Sequence, residues 1–227
     1  MAQIFYTPMF GIALTLVAWC ISTVIAKKVN HPLVNPVVLG GIICIIFLVV
    51  TGIPLEAYKV GGDFLVALIL PAVTCIAVSV YMQLKLLKKY IIPIIVGCTV
   101  GSIFSALSVY FLSDLFGLSE VLKFSALPKS ITSAFALELA DLMGGIPSLA
   151  HFAVMITGTS GIMFGPFIIS LLKIEDPIVQ GVALGTTSHV VGAAKAFDYG
   201  QIQGAMAGIG IFVTGIATTL ICLLFII

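Results

Sequence analysis

Charged residues cut this chain into long apolar runs. Residues 1–26 carry no charge, and neither do 32–55, 64–84, 90–113, 142–172, 177–194 and 199–227. Most exceed the roughly 18 to 20 residues that a helix needs to cross a hydrocarbon core. The pattern predicts an all-α protein, a polytopic transmembrane helical bundle. The 115–141 stretch is apolar enough to enter a membrane, yet it holds Lys123, Lys129, Glu138 and Asp141. The reading is about eight hydrophobic segments, two of them, 115–141 and 177–198, discontinuous or re-entrant.

Proline and glycine mark the joints. His31-Pro32 and Asn35-Pro36 separate the first two segments, and Gly52-Ile53-Pro54 ends the second. Gly61-Gly62 precedes the third, and Tyr90 to Pro93 opens the fourth. Gly144-Gly145-Ile146-Pro147-Ser148 opens the sixth with Ser148 as its N-cap, and Asp176-Pro177 opens the seventh. Connections this short leave no room for a soluble domain. Residues 1–227 are therefore expected to form a single integral membrane domain, with 1–114 and 115–227 as candidate halves.

A weak internal similarity accompanies these joints. Leu70-Pro71-Ala72-Val73-Thr74 resembles Leu127-Pro128-Lys129-Ser130-Ile131-Thr132, and Gly97-Cys98-Thr99-Val100-Gly101 loosely resembles Gly158-Thr159-Ser160-Gly161. Inverted repeats whose broken helices meet at the midplane build many transporters, although short matches in a glycine- and alanine-rich chain also arise by chance. Lysine placement suggests an orientation. Lys27 and Lys28, and again Lys85, Lys88 and Lys89, belong on the cytoplasmic face. The loop with Glu56, Lys59 and Asp63 then faces out, and the N-terminus lies outside if every segment crosses. The later loops are too balanced in charge to extend this.

Composition agrees with the pattern. Hydrophobic residues make up 61% of the 227 positions and charged residues 8%, at a mean hydropathy of +1.28. Soluble domains carry roughly 25% charged residues. The net charge is +1 with no arginine, which argues against nucleic acid as a partner. The first lysines follow the first apolar run, so that run reads as a membrane span rather than a cleaved signal peptide. Cys20, Cys44, Cys75, Cys98 and Cys222 lie in apolar stretches without C-x-x-C spacing, and read as small apolar side chains. No metal site and no cofactor are expected.

The polar residues concentrate in two places. In Leu127-Pro128-Lys129-Ser130-Ile131-Thr132-Ser133, a proline breaks the preceding helix within the membrane. A new half-helix would then present free N–H groups, with Lys129, Ser130, Thr132 and Ser133 around them, as an anion site. The alternative is a surface lysine beside an ordinary helix start. Glu138 and Asp141 are either its ionic partners or markers of the far membrane face.

The second place is Gly185-Thr186-Thr187-Ser188-His189, continuing through Gly192-Ala193-Ala194-Lys195. As one helix it would align Gly181, Gly185, Ser188, Gly192 and Lys195 on a face. Broken at Gly185, it would make Thr186, Thr187 and Ser188 a second half-helix mouth. Either form gathers hydroxyls, the His189 imidazole and the Lys195 ammonium. Against this, His189 can be a structural residue, and Lys195 can reach the interface beside Asp198. His151 and the glycines at 158, 161, 165, 204 and 208 read as interface and packing residues. Catalysis is not expected. Ser188 and His189 are adjacent on a helix and point about 100° apart, and no other nucleophile–base set is present.

At these motifs the chain resembles the LrgB/CidB family of membrane proteins, which includes the C-terminal half of the plastidial glycolate/glycerate translocator. The resemblance rests on Leu70-Pro71-Ala72 with Tyr81, Leu127 to Thr132, Gly144 to Leu149, Gly185 to His189 with Gly192 to Ala196, and Gly204 to Gly208. P-K-S-[IV]-T and S-H-x-x-G-x-A-K-A are its specific parts. The chain departs from the family at Leu70, at Ser133-Ala134 and near Asp198 to Gln201. The resemblance implies a multi-pass protein of the cell (plasma) membrane, working with a small LrgA/CidA-like partner. It implies either transport of monocarboxylates such as pyruvate, glycolate or glycerate, or an antiholin-type role in murein hydrolase export and autolysis. A homo-oligomer stays open. The residues favour a transporter, coupled to protons or another ion, with a small carboxylate substrate held by Lys129, Ser130, Thr132, Ser133, Thr186, Thr187, Ser188, His189 and Lys195. The first four segments read mainly as apolar scaffold.

Overall fold

The computed structural model describes residues 5–29 and 36–225. The joints expected at His31-Pro32 and at Asn35 lie outside the described residues. Among the described residues there is no strand. The helices are α1 (Pro8–Val29), α2 (Pro36–Thr51), α3 (Leu55–Ala67), α4 (Ile69–Met82) and α5 (Leu84–Leu115), followed by α6 (Glu120–Ala126) and a 3-10 turn (Leu127–Ser130). Then come α7 (Ser133–Leu142), α8 (Pro147–Leu171), α9 (Pro177–Phe197) and α10 (Gln201–Leu223). Helices suit lipid because they satisfy their backbone groups internally. Four of them, α1, α5, α8 and α10, are long and apolar enough to cross a membrane. Their outward faces carry exposed apolar side chains such as Phe104 and Phe212, as a lipid solvent allows.

Contacts divide the chain into two compact units, Met1–Cys75 and Ile76–Ile227, with the boundary inside α4. In the first unit α1 packs on α2 and α3. Gly61 lies inside α3, not ahead of a segment. A Cβ on Gly61 would collide with the Pro8 carbonyl, and one on Gly11 with the Tyr58 carbonyl. This glycine therefore serves the close approach of two helices, and the break falls later, at Leu68.

The second unit is built on three crossing helices. Ile94 and Cys98 of α5 share a core cluster with Met206 and Ile209 of α10. Further along both helices, Ala106 and Val109 share one with Cys222, and the Tyr110 and Phe225 rings stack at 5.6 Å. Helices α5 and α10 therefore run parallel. Helix α8 runs against them: Ala150 and Val154 at its start join the Cys222 cluster, while Ile169 at its end packs with Leu184 and Ala207. Three sequence readings are corrected. Pro93 lies within α5 rather than opening a segment. Ser148 is not the N-cap of α8; Ile146 is. Pro128 lies inside a 3-10 turn, and the break comes at Ile131 and Thr132, whose backbones are extended.

Between the crossing helices lie two hairpins that turn back inside the unit. The first runs inward through α6 and the 3-10 turn and returns through α7. Its return is marked by Ile146, whose N–H donates to Ser125 Oγ at 2.7 Å. The second is α9 itself. His189 sits at φ 52°, ψ −138°, a break inside the helix. Beyond it the chain folds back, so that a Cβ on Gly192 would collide with the Leu184 carbonyl. Gly181 abuts Gln203 and the Phe197 ring covers Gly204, so both ends of this hairpin reach the same face. Its inward arm, residues 177–188, spans about 18 Å, roughly half the hydrocarbon thickness. Both irregular segments are thus re-entrant, and they enter from opposite faces. The Gly97 and Gly158 motifs fall on α5 and α8, the crossing helices that precede each hairpin. Pro71, by contrast, lies within α4.

Candidate functional site

The two hairpin tips meet. The His189 ring donates from Nε2 to the carbonyl oxygen of Lys129 at 3.1 Å. A carbonyl only accepts, so Nε2 carries the proton. Behind the first tip, the Lys129 ammonium donates to Ser105 Oγ at 2.9 Å, and Ser105 Oγ lies 2.6 Å from Ser130 Oγ. Lys129 is part-buried and takes part in neither of the two ion pairs among the described residues, Lys123–Asp114 and Lys195–Asp198. Glu138 and Asp141 are exposed on α7 and are not its partners in an ion pair. Ser105, from α5, was missed by sequence reasoning because one serine in an apolar span looks like scaffold. The visible signal was its helical spacing from Ser102 and Ser108.

The remaining candidates distribute unevenly. Thr132 precedes α7 with extended backbone and Ser133 begins that helix, so a helix N-terminus does lie at the first tip. Thr186 Oγ1 is 3.4 Å from Cys98 Sγ on α5. Ser188 is buried against Gly161 of α8, where any Cβ would strike its hydroxyl. Thr187 is exposed and donates to its own helix at Ala183 O. Because the break falls at His189, residues 186–188 close the first arm and do not form an N-terminal mouth. Nor do the glycines share one helix face. Gly181 and Gly185 abut α10, and Gly192 abuts the first arm of its own hairpin. Lys195 is carried back toward the surface, 40% exposed and 3.0 Å from Asp198, away from the tips.

The site's electrostatics follow from this arrangement. One ammonium faces hydroxyls rather than a carboxylate, with neighbouring backbone carbonyls partly committed. An intramembrane cation costs roughly 2.5–3.5 kcal/mol on insertion scales. The one hydroxyl contact, to Ser105, only partly offsets that cost, and an anion would complete the pairing.

The family model of the LrgB-like family matches residues 15–227. An antiholin-like protein LrgB from Bacillus mycoides (strain KBAB4) is 33% identical over 220 residues, covering 96% of each chain. Antiholin-like LrgB proteins from Bacillus cereus (strain B4264) and Bacillus anthracis (strain CDC 684 / NRRL 3495) match with the same identity and coverage. No solved structure matches. With its four membrane-capable helices and a match spanning nearly its whole length, the chain belongs to the LrgB-like family of membrane proteins.

Proposed function

We propose that this protein carries small monocarboxylates across the plasma membrane, coupled to protons or another ion and together with a small LrgA/CidA-like partner. The observation that carries the reading is Lys129, held at the meeting of two opposed re-entrant tips without an acidic partner among the described residues. Discontinuous segments that meet between crossing helices are a common way to bind a solute in a membrane. A carboxylate would accept from the Lys129 ammonium and the Ser105–Ser130 hydroxyl pair. His189 links the hairpins and would carry a coupled proton. Motion of one hairpin against the other would expose the site alternately.

The test is uptake of labelled pyruvate, glycolate and glycerate into proteoliposomes, with and without the partner. Saturable uptake that falls at least tenfold in Lys129→Met but persists in Lys195→Ala supports the reading. No uptake of any acid under either condition sinks it.

The names of the relatives favour a second reading, an antiholin-type accessory of a lysis system. In that case a strain lacking the protein shows altered autolysis that Lys129→Met restores as fully as the unaltered chain. Under the transport reading, Lys129→Met behaves like the deletion.

A further inference from the structure

Hydroxyls on membrane helices ordinarily bond the carbonyl one turn back. This protein follows that habit repeatedly: Thr15, Thr51, Thr157, Thr159, Thr187 and Thr219 all donate to the carbonyl four residues earlier. Ser102, Thr214 and Thr218 do not. Their hydroxyl oxygens are buried and have no hydrogen-bond partner among the described residues, and each residue is 1% exposed.

Their places in the fold are related. On α5, Cys98 meets Thr186 of the second hairpin and Ser105 meets Lys129 and Ser130 of the first. Ser102 lies between those contacts, one turn from each. On α10, Ala207 and Gly210 face the second hairpin, while Cys222 shares a cluster with Leu127 and Ile131 of the first. Thr214 and Thr218 continue that same face between them, at i+4 and i+8 from Gly210. Two parallel helices thus present unpartnered hydroxyls at the level where the tips meet.

We infer that Ser102, Thr214 and Thr218 are ligand-binding residues, completing with Ser105, Lys129 and Ser130 the donor set for one small anion. The inference rests on the transport reading above and adds to it three residues on the crossing helices. The chemistry favours an anion over a metal cation. Lys129 already supplies the positive charge there, a second cation would be repelled, and a carboxylate has lone pairs enough for several hydroxyl donors. A buried hydroxyl without a partner is costly unless something else accepts from it.

The experiment is uptake kinetics of pyruvate, glycolate and glycerate in proteoliposomes holding the full chain and its partner. The variants are Ser102→Ala, Thr214→Val and Thr218→Val, with Thr214→Ser as rescue and Thr219→Val as control. Thermal unfolding in detergent is measured on each. The expected result is a KM raised about tenfold per deleted hydroxyl, recovery in Thr214→Ser, an unchanged Thr219→Val and undiminished thermal stability. Wild-type KM in the three deletions overturns the inference and leaves transport standing. Lowered stability in them also overturns it, because the hydroxyls are then structural. Absence of uptake by the unaltered protein removes the transport reading and the inference with it.

Discussion

The imidazole of His189 reaches the backbone of Lys129 across sixty residues of sequence, Nε2 to carbonyl oxygen at 3.1 Å. That bond joins the tips of two hairpins entering from opposite faces. It uses the backbone of the lysine and leaves the ammonium free to face Ser105.

His189 also sits at positive φ, in a region where a non-glycine residue costs about 1–3 kcal/mol. His189→Ala keeps that strain and loses a hydrogen bond worth about 0.5–1.5 kcal/mol. His189→Gly loses the bond but relieves the strain. Thermal unfolding should therefore rank wild type and glycine above alanine, the reverse of ordinary helix propensity. An alanine variant more stable than the glycine variant would show that position 189 continues a regular helix.

Re-entrance has a consequence for labelling. In a cysteine-free background, Glu175→Cys and Tyr199→Cys should react with an impermeant maleimide from the same face. Leu118→Cys and Leu142→Cys should react together from the opposite face. Opposite-face labelling of 175 and 199 would make α9 a span.

The same geometry sorts the lysines of the second unit. Leu86, Leu87 and Tyr90 pack with Ile178 and Ile202, so Lys85, Lys88, Lys89, Lys173 and Lys195 share one face. The other face holds Lys123, paired with Asp114. By the positive-inside tendency, the five-lysine face is expected in the cytoplasm, and reactivity of the 175 and 199 cysteines only in inverted vesicles would confirm it.

Gly185 abuts the Ala207 backbone so closely that a Cβ would strike it. Gly185→Ala should separate α9 from α10 and cost about 1–3 kcal/mol. Gly97, with nothing within 4 Å of a built Cβ, should accept alanine without loss. Equal melting temperatures for the two variants would contradict the packing.

Lys123 is buried between Asp114 and the Tyr110 ring, whose centroid is 4.3 Å from Nζ. Asp114→Asn leaves that ammonium without its counter-charge, whereas Lys123→Met removes the charge and keeps the volume. The asparagine variant should unfold at the lower temperature.

Much was legible in the sequence because lipid imposes a simple rule. Uncharged runs of sufficient length must be helices, so the all-α membrane class followed from the spacing of charges. The irregularity of 115–141 and 177–198 was also legible, since Pro128, Lys129 and His189 are costly in a plain span. The family resemblance drew its specific parts from the same two motifs, and the match over residues 15–227 bears it out.

Tertiary structure decided what periodicity cannot carry. Helical spacing placed Lys195 on a face with Gly181 and Ser188 if the helix was straight, and left a break at Gly185 and a surface Lys195 beside Asp198 as alternatives. The reversal at His189 destroys that register and returns Lys195 to the surface beside Asp198. Conversely, Ser105 on α5 gains its place only because α5 passes the first tip. Charge spacing along a chain measures the cost of entering a membrane, and the sequence alone determined that. Which polar groups meet inside depends on where the chain turns back, and here the backbone at Ile131–Thr132 and at His189 decided it.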